Sequence, residues 1–265
     1  MTLSVGCHQI AFSPTKAENL SRILEILDHT DAYLNVFAEY AMGVPPEGLS
    51  KEFVQNNAEP LHGGFVSKIL EKTRQKKSSV VFTTFLKEGK AVFNAAILVD
   101  EGKIAAVYKK IHLFDAFGHR ESEFFHAGRQ LAIAEIGEFK VGLAVCFDLR
   151  FPELFRSMAY KGVNLFIVPS AWFTGKYKLD QWRTLILARA HENISYLVAV
   201  NQAHPLFVGH SIVASPLGYA LEEAGEDQAS FSAELSEGKI EEANRLVPTL
   251  QLSKPELYKK WQSRS

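Results

Sequence analysis

Hydrophobic and polar positions along the chain switch between two periods. Leu3 to Phe12 is mostly apolar and stops at Ser13-Pro14, which predicts a first strand. Over Thr15 to Leu27, Leu20, Ile23, Leu24 and Leu27 recur at helical spacing and predict an amphipathic helix. Tyr33 to Glu39 predicts a short buried strand ending in a carboxylate, and His62 to Lys76 a second helix. Ser79 to Leu86 and Val92 to Val99 read as β-runs, with Asp100-Glu101-Gly102-Lys103 as a hairpin turn into Ile104 to Tyr108. Phe139 to Cys146 predicts a strand and Pro152 to Tyr160 the helix after it. The pattern continues with strand Asn164 to Pro169, a helix around Asp180 to Asn193, and strands Ser195 to Asn201 and Val208 to Ala214. A turn at Pro216-Leu217-Gly218 precedes the last strand, Ala229 to Leu235, and the last long helix, Glu237 to Arg245. Strands alternating with helices predict an α/β layered domain, and the hairpins predict sheets that are not purely parallel.

Composition narrows the class. Lys plus Arg number 29 and Asp plus Glu 30, a net charge of −1 with no basic excess for nucleic acid. A 47% hydrophobic content argues against disorder, and two cysteines in 265 residues exclude a disulfide scaffold. No window approaches the roughly 18 apolar residues of a membrane span. The start has no basic and apolar leader pattern, so the expectation is a cytoplasmic protein with neither membrane nor nucleic-acid partner. Composition is even and shows no repeat or linker. Residues 1–265 are therefore expected to form a single domain, with 246–265 as a C-terminal tail able to pack on its own subunit or at an oligomer interface.

Candidate chemistry concentrates in Val141-Gly-Leu-Ala-Val-Cys146-Phe-Asp-Leu-Arg150-Phe-Pro152-Glu153. An apolar strand stops at a cysteine, and Pro152 stands where a helix begins. A thiol at such an elbow can attack a carbonyl or nitrile carbon, with the Phe147 N–H near the oxyanion. Equally, Cys146 can be a buried structural thiol. Cys7, inside a strand, reads as core packing. None of the nine histidines has a recognisable orienting motif, and His and Cys do not cluster at metal-ligand spacing. Glu39 at a strand end and Lys109-Lys110 after a β-run look functionally placed. Taken singly, each also fits a structural or solvated role.

Together these segments resemble the nitrilase superfamily of carbon–nitrogen hydrolases. The similarity runs over nearly the whole chain. It includes Phe37-Ala-Glu39, Tyr108 to Phe114, Glu121-Ser122 with Gly128, Val141 to Leu154, Pro169-Ser170-Ala171, Arg189 to Asn193, Gly209-His210-Ser211 and Pro216-Leu217-Gly218. The resemblance implies a four-layer α-β-β-α sandwich that commonly pairs with a second copy, as a homodimer or larger. It implies a Glu-Lys-Cys triad with no cofactor and no metal. By position, Glu39 is the general base, Cys146 the nucleophile, and Lys110 the oxyanion cation beside the Phe147 N–H. The family spacing selects Lys110 over Lys109. Glu121 aligns with a second carboxylate that positions the substrate amide or leaving group. A lysine beside the thiol is expected to favour its thiolate.

The Cys-Phe-Asp-Leu-Arg-Phe-Pro-Glu run and Gly209-His210-Ser211 resemble the Nit branch, which holds ω-amidases and the amidase for deaminated glutathione. The resemblance implies hydrolysis of a small carboxylate-bearing linear amide through a thioester, with release of ammonia. Alternatives are deaminated glutathione or a carbamoyl compound as substrate, or, outside enzymes, an α/β binding module with a vestigial pocket. Phe-Ala-Glu39 replaces the usual Phe-Pro-Glu, and the stretch from Tyr177 to Arg183 and the loop after Asn201 also depart from the family pattern. Ser170 and Trp172 are candidate substrate contacts. Arg129, Arg150, Lys176 and Arg183 are candidate partners for a substrate carboxylate. Arg150 with Asp148 and Glu153 can also be read as an ion-pair group supporting the elbow.

Overall fold

The computed structural model describes residues 2–262, so the last three residues of the expected tail lie outside the described residues. Twelve strands form two sheets. In chain order they are β1 (Thr2–Gln9), β2 (Leu34–Phe37), β3 (Ser79–Glu88), β4 (Ala91–Asp100), β5 (Lys103–Lys109) and β6 (Ile133–Ile136). The others are β7 (Phe139–Leu143), β8 (Leu165–Ser170), β9 (Tyr196–Asn201), β10 (Ile212–Ala214), β11 (Ala220–Glu223) and β12 (Ala229–Ser236). The helices are α1 (Lys16–His29), α2 (Lys51–Asn57), α3 (Gly64–Lys76), α4 (Pro152–Ala159), α5 (Lys178–Glu192), α6 (Glu237–Leu246), α7 (Thr249–Leu252) and α8 (Pro255–Gln262).

One sheet has the order β12-β1-β2-β3-β4-β5 and the other β11-β10-β9-β8-β7-β6. In each, three central strands run parallel and the flanking strands antiparallel. The parallel strands are buried along most of their length without alternation, as strands covered on both faces are. β8 (Leu-Phe-Ile-Val-Pro-Ser) is buried at every position. The inner faces meet where β2 and β3 touch β8, and β1 and β2 touch β9. Outside, α1 and α3 cover the first sheet through Leu20, Ile23, Leu27, Phe65, Val66 and Ile69. α5 covers β9 and β10, while α4 places Phe155 5.2 Å from Phe166 of β8. The architecture is the four-layer α-β-β-α sandwich.

Three local readings change. β7 ends at Leu143, and Cys146 opens a 3-10 turn, Cys146–Arg150, instead of ending the strand. Only Ile212–Ala214 of the expected Val208 to Ala214 strand pairs as a strand. The N–H groups of Val208, Gly209 and His210 donate instead to Trp172, Gln202 and Gly225, which ties that segment to loops. α2, β6, β11, α7 and α8 were not foreseen. They are four to eight residues long, too short to display a period.

Candidate active site

Four loops at the carboxyl ends of β2, β5, β7 and β8 converge between the two sheets. Open α/β sheets bind their ligands at such strand ends. Glu39 lies two residues beyond β2 and is fully buried. Its N–H donates to the Ser170 carbonyl at 3.2 Å, so the contact joins the first sheet to the end of β8 in the second. Gln202 Nε2 holds the Glu39 carbonyl at 2.8 Å. Lys110, the residue after β5, has 1% of its side chain exposed. Its Nζ lies 2.9 Å from Glu39 Oε1 and 2.9 Å from Glu121 Oε2. Lys109 points elsewhere and pairs with Glu88 at the surface, 2.5 Å away. Alternation along β5 sends neighbouring lysines to opposite faces.

Glu121 sits in a 3-10 turn, Glu121–Glu123, and accepts from the Phe114 N–H at 2.7 Å. Asn94, a polar residue in the middle of β4, bridges the carboxylates. Its Nδ2 lies 2.7 Å from Glu39 Oε1 and 2.9 Å from Glu121 Oε1. The second Glu39 oxygen accepts from the Ala171 N–H at 2.9 Å and faces the Cys146 thiol. The structure thus brings Glu39, Lys110, Glu121 and Cys146 into one buried cluster of two carboxylates, one ammonium and one thiol. Breaking such a cluster at one member leaves an uncompensated buried charge.

Cys146 is held by its backbone. It has φ 46°, a left-handed conformation that costs energy for a residue with a side chain. Asp148 pins the turn: its carboxylate accepts from the Val145 N–H at 2.9 Å and Tyr108 Oη at 2.8 Å. It also accepts from the His112 N–H at 3.2 Å and faces His112 Nδ1 at 2.7 Å. His112 stacks on Phe151 with centroids 3.6 Å apart, so it braces the elbow through Asp148 and is not paired with the thiol.

Burial, first, and the Glu39 carboxylate push the Cys146 thiol well above its ordinary range. Lys110 and the Ala171 N–H pull it down by less. Burial and the nearby carboxylate thus favour the neutral thiol; Lys110 acts toward the thiolate as expected but is outweighed. Burial also raises Glu39, and Glu121 adds to this, while Lys110 and Asn94 oppose it. A carboxylate raised toward neutrality is a better proton acceptor than a free one. The Lys110 ammonium is held charged by Glu121 and Glu39 despite its burial. Two of its three N–H bonds serve the carboxylates, and among the described residues the third meets no acceptor.

A cavity of about 310 Å³ of empty space opens on Cys146 and is lined by Lys110, Phe147, Arg150, Trp172, Phe173 and Lys178, among others. Trp172 is where the sequence placed it. Ser170 is not: it is fully buried, its hydroxyl donates to the Val168 carbonyl, and its role is to frame Glu39. Arg150 makes no ion pair with Asp148 or Glu153; it donates to Gln181 at 2.8 Å and lies over Trp172. The expected ion-pair group is absent because hydrogen-bond donors already surround Asp148. Arg183 is engaged with Glu223, Arg129 lines a different groove, and Lys176 lies over Tyr177. Among the described residues, no three His, Cys, Asp or Glu side chains are grouped to hold a metal ion. Asn94 and Lys178 were missed, and Asp148 was read as supporting the elbow but with the wrong partners. The signal for Asn94 was a lone amide within the apolar run of β4.

The model of the carbon–nitrogen hydrolase family matches residues 4–245. The chain belongs to the carbon–nitrogen hydrolase family. A deaminated glutathione amidase of Escherichia coli O157:H7 is 32% identical over 197 residues, covering 73% of this chain and 75% of that protein. A 2-oxoglutaramate amidase of Paenarthrobacter nicotinovorans is 29% identical over 265 residues, 94% of this chain and 88% of the relative. The crystal structure of Saccharomyces cerevisiae Nit3, a member of branch 10 of the nitrilase superfamily, superposes with a TM-score of 0.81 at 27% identity, covering 96% of each chain. This carbon–nitrogen hydrolase is Nit-like and acts on carbon–nitrogen bonds other than peptide bonds.

Proposed function

We propose that the protein hydrolyses a small, carboxylate-bearing linear amide through a thioester on Cys146. The observation that carries this reading is the Glu39–Lys110–Glu121–Cys146 cluster at the base of a cavity containing a cation, Arg150. Sγ attacks the amide carbon while Glu39 takes the thiol proton. The carbonyl oxygen becomes an oxyanion, stabilised by the third Lys110 N–H and the Phe147 N–H. Glu39 returns its proton to the nitrogen, the C–N bond breaks, and ammonia leaves a thioester. Water, deprotonated by Glu39, then attacks that thioester and frees the carboxylic acid and the thiol. Glu121 orients the amide nitrogen and fixes Lys110. Of the four cations singled out in the sequence, Arg150 is the one lining the Cys146 cavity, so it receives the substrate carboxylate.

A second reading, an amide with a larger amine, is favoured by one observation. A wider cavity with about 1010 Å³ of empty space adjoins the first on the Glu121 side and shares Tyr40, Phe114 and Phe173 with it. It has room for the leaving portion of a substrate such as deaminated glutathione, the compound named for the Escherichia coli relative.

We read residues 1–265 as one domain, because both sheets share one core. The reading includes a homodimer in the cytoplasm, where the two free thiols, Cys7 and Cys146, stay reduced. No helix among the described residues is long and apolar enough to cross a membrane. The test is ammonia release from 2-oxoglutaramate, 2-oxosuccinamate and glutamine, and cysteinylglycine release from deaminated glutathione, wild type beside Cys146→Ala. Turnover lost with Cys146 supports the reading. Turnover that survives in Cys146→Ala contradicts it.

A further inference from the structure

One cation of the Cys146 cavity takes part in none of these steps. Lys178, the first residue of α5, places Nζ 3.5 Å from the Phe117 ring centroid, 5.7 Å from Phe114 and 5.8 Å from Trp172. Arg150 approaches the same aromatic wall, with its guanidinium carbon 4.6 Å from Trp172, 5.7 Å from Phe117 and 5.8 Å from Phe147. Trp172 links the two segments further, since its indole N–H donates to the Lys178 carbonyl at 3.0 Å. Among the described residues neither cation meets a carboxylate. Arg150 Nε is buried with no partner.

Carboxylates meet several of the other half-buried cations, while Arg22 and Arg156 donate to carbonyl or amide oxygens. Lys16 is paired with Glu59, Lys72 with Asp28 and Arg189 with Glu192. Two unpaired cations on one apolar wall repel each other and give up part of their hydration, a state that an anion between them relieves. Burial and the neighbouring Arg150 hold Lys178 below the ordinary lysine range. The charges also define the ligand. Lys110, Arg150 and Lys178 stand against Glu39 and Glu121, leaving one positive charge for one carboxylate. The space left beside Cys146 is narrow, which favours a short acyl chain over a bulky one.

We propose that Lys178 is a specificity-determining residue, forming with Arg150 a two-cation cradle for the terminal carboxylate of a short-chain ω-amide while Cys146 faces its amide carbon. The proposal rests on the reading of the Cys146 cavity as the substrate site and deepens it.

The test separates the cradle from the reaction. Protection of Cys146 from iodoacetamide by succinate or 2-oxoglutarate reads carboxylate binding without turnover. The ratio of kcat/KM for succinamate to that for neutral butyramide reads it during turnover. In Lys178→Met the half-protecting concentration should rise, and the ratio fall, by at least about tenfold, as when one charge-assisted contact is lost. Lys178→Arg should recover most of both. Lys176→Met, which removes the exposed cation over Tyr177, should protect as wild type does. Loss of protection in Lys178→Met supports the cradle even if no amide in the panel is hydrolysed. Protection within about twofold of wild type in a folded Lys178→Met overturns it, whatever the enzyme hydrolyses, as does a wild type that neither acid protects.

Discussion

Lys110 carries the greatest energetic weight of any single residue in the cluster. It is 1% exposed between two carboxylates that are themselves 0% and 3% exposed. Lys110→Met leaves both carboxylates without their cation and is expected to cost about 3–5 kcal/mol in chemical denaturation. Glu39→Gln keeps the Lys110–Glu121 pair and should cost clearly less while removing activity. The pH profile reports the same cluster. Glu39 must be ionised to accept the thiol proton, and its pKa lies above the ordinary 4.5. The rate kcat/KM should therefore fall as pH drops through a midpoint above 4.5. Glu121 is one of the charges that raise Glu39, so in Glu121→Gln the residual activity should keep its acid limb to lower pH. A limb that stays in place or moves up contradicts that coupling. Glu39, Lys110 and Cys146 each break a local pattern (a carboxylate after an apolar strand, a cation pair after a β-run, a thiol at a strand-to-helix turn), but singly these left structural readings open, and their roles came from the family resemblance of the segments together. The neutral resting state of Cys146 was not legible. It depends on complete burial, and no spacing of residues expresses that.

At the level of elements, the site depends on where strands stop. The turn after β7 is set by Asp148, whose donors come from Val145, Tyr108 and His112, three separate positions along the chain. The sequence showed Asp148 beside Arg150 and suggested an ion pair. Only the fold brings Tyr108 and His112 to it, across 40 and 36 residues. The end of β5 is clamped in the same way by Gly128, whose N–H donates to the Lys110 carbonyl at 2.8 Å. A Cβ there would meet the Lys109 carbonyl oxygen at 2.0 Å, so backbone must move. Gly128→Ala should displace Lys110 and lower kcat/KM by about a hundredfold, the cost of a roughly 1 Å misplacement. Gly64→Ala, where the added Cβ meets nothing within 4 Å, should leave kcat/KM as in wild type. Equal rates in the two variants would show that the clamp is not needed.

For the whole molecule, the layered α/β class was legible from alternating periods, because long amphipathic helices and apolar strands declare themselves. The pairing of β12 with β1, across more than two hundred residues, was not, since register follows from how the sheets close and pack. The short C-terminal helices also escaped the pattern. With the end of α6 they expose Leu246 (64%), Leu252 (68%) and Trp261 (61%), an apolar surface of the kind that copies of a chain bury against each other. Light scattering should give at least twice the 29.6 kDa chain mass. A Leu252→Ser, Trp261→Ser double variant should shift toward the monomer. A wild type that stays monomeric at micromolar concentration contradicts the dimer.

The central claim is covalent: Cys146 carries the acyl group. The measurement is peptide mass spectrometry after acid quench of the enzyme turning over 2-oxoglutaramate. The account predicts that the peptide containing Cys146 gains the mass of the substrate less ammonia, and that the Cys7 peptide gains nothing. Ammonia release with no adduct on Cys146, continuing in Cys146→Ala, would contradict it.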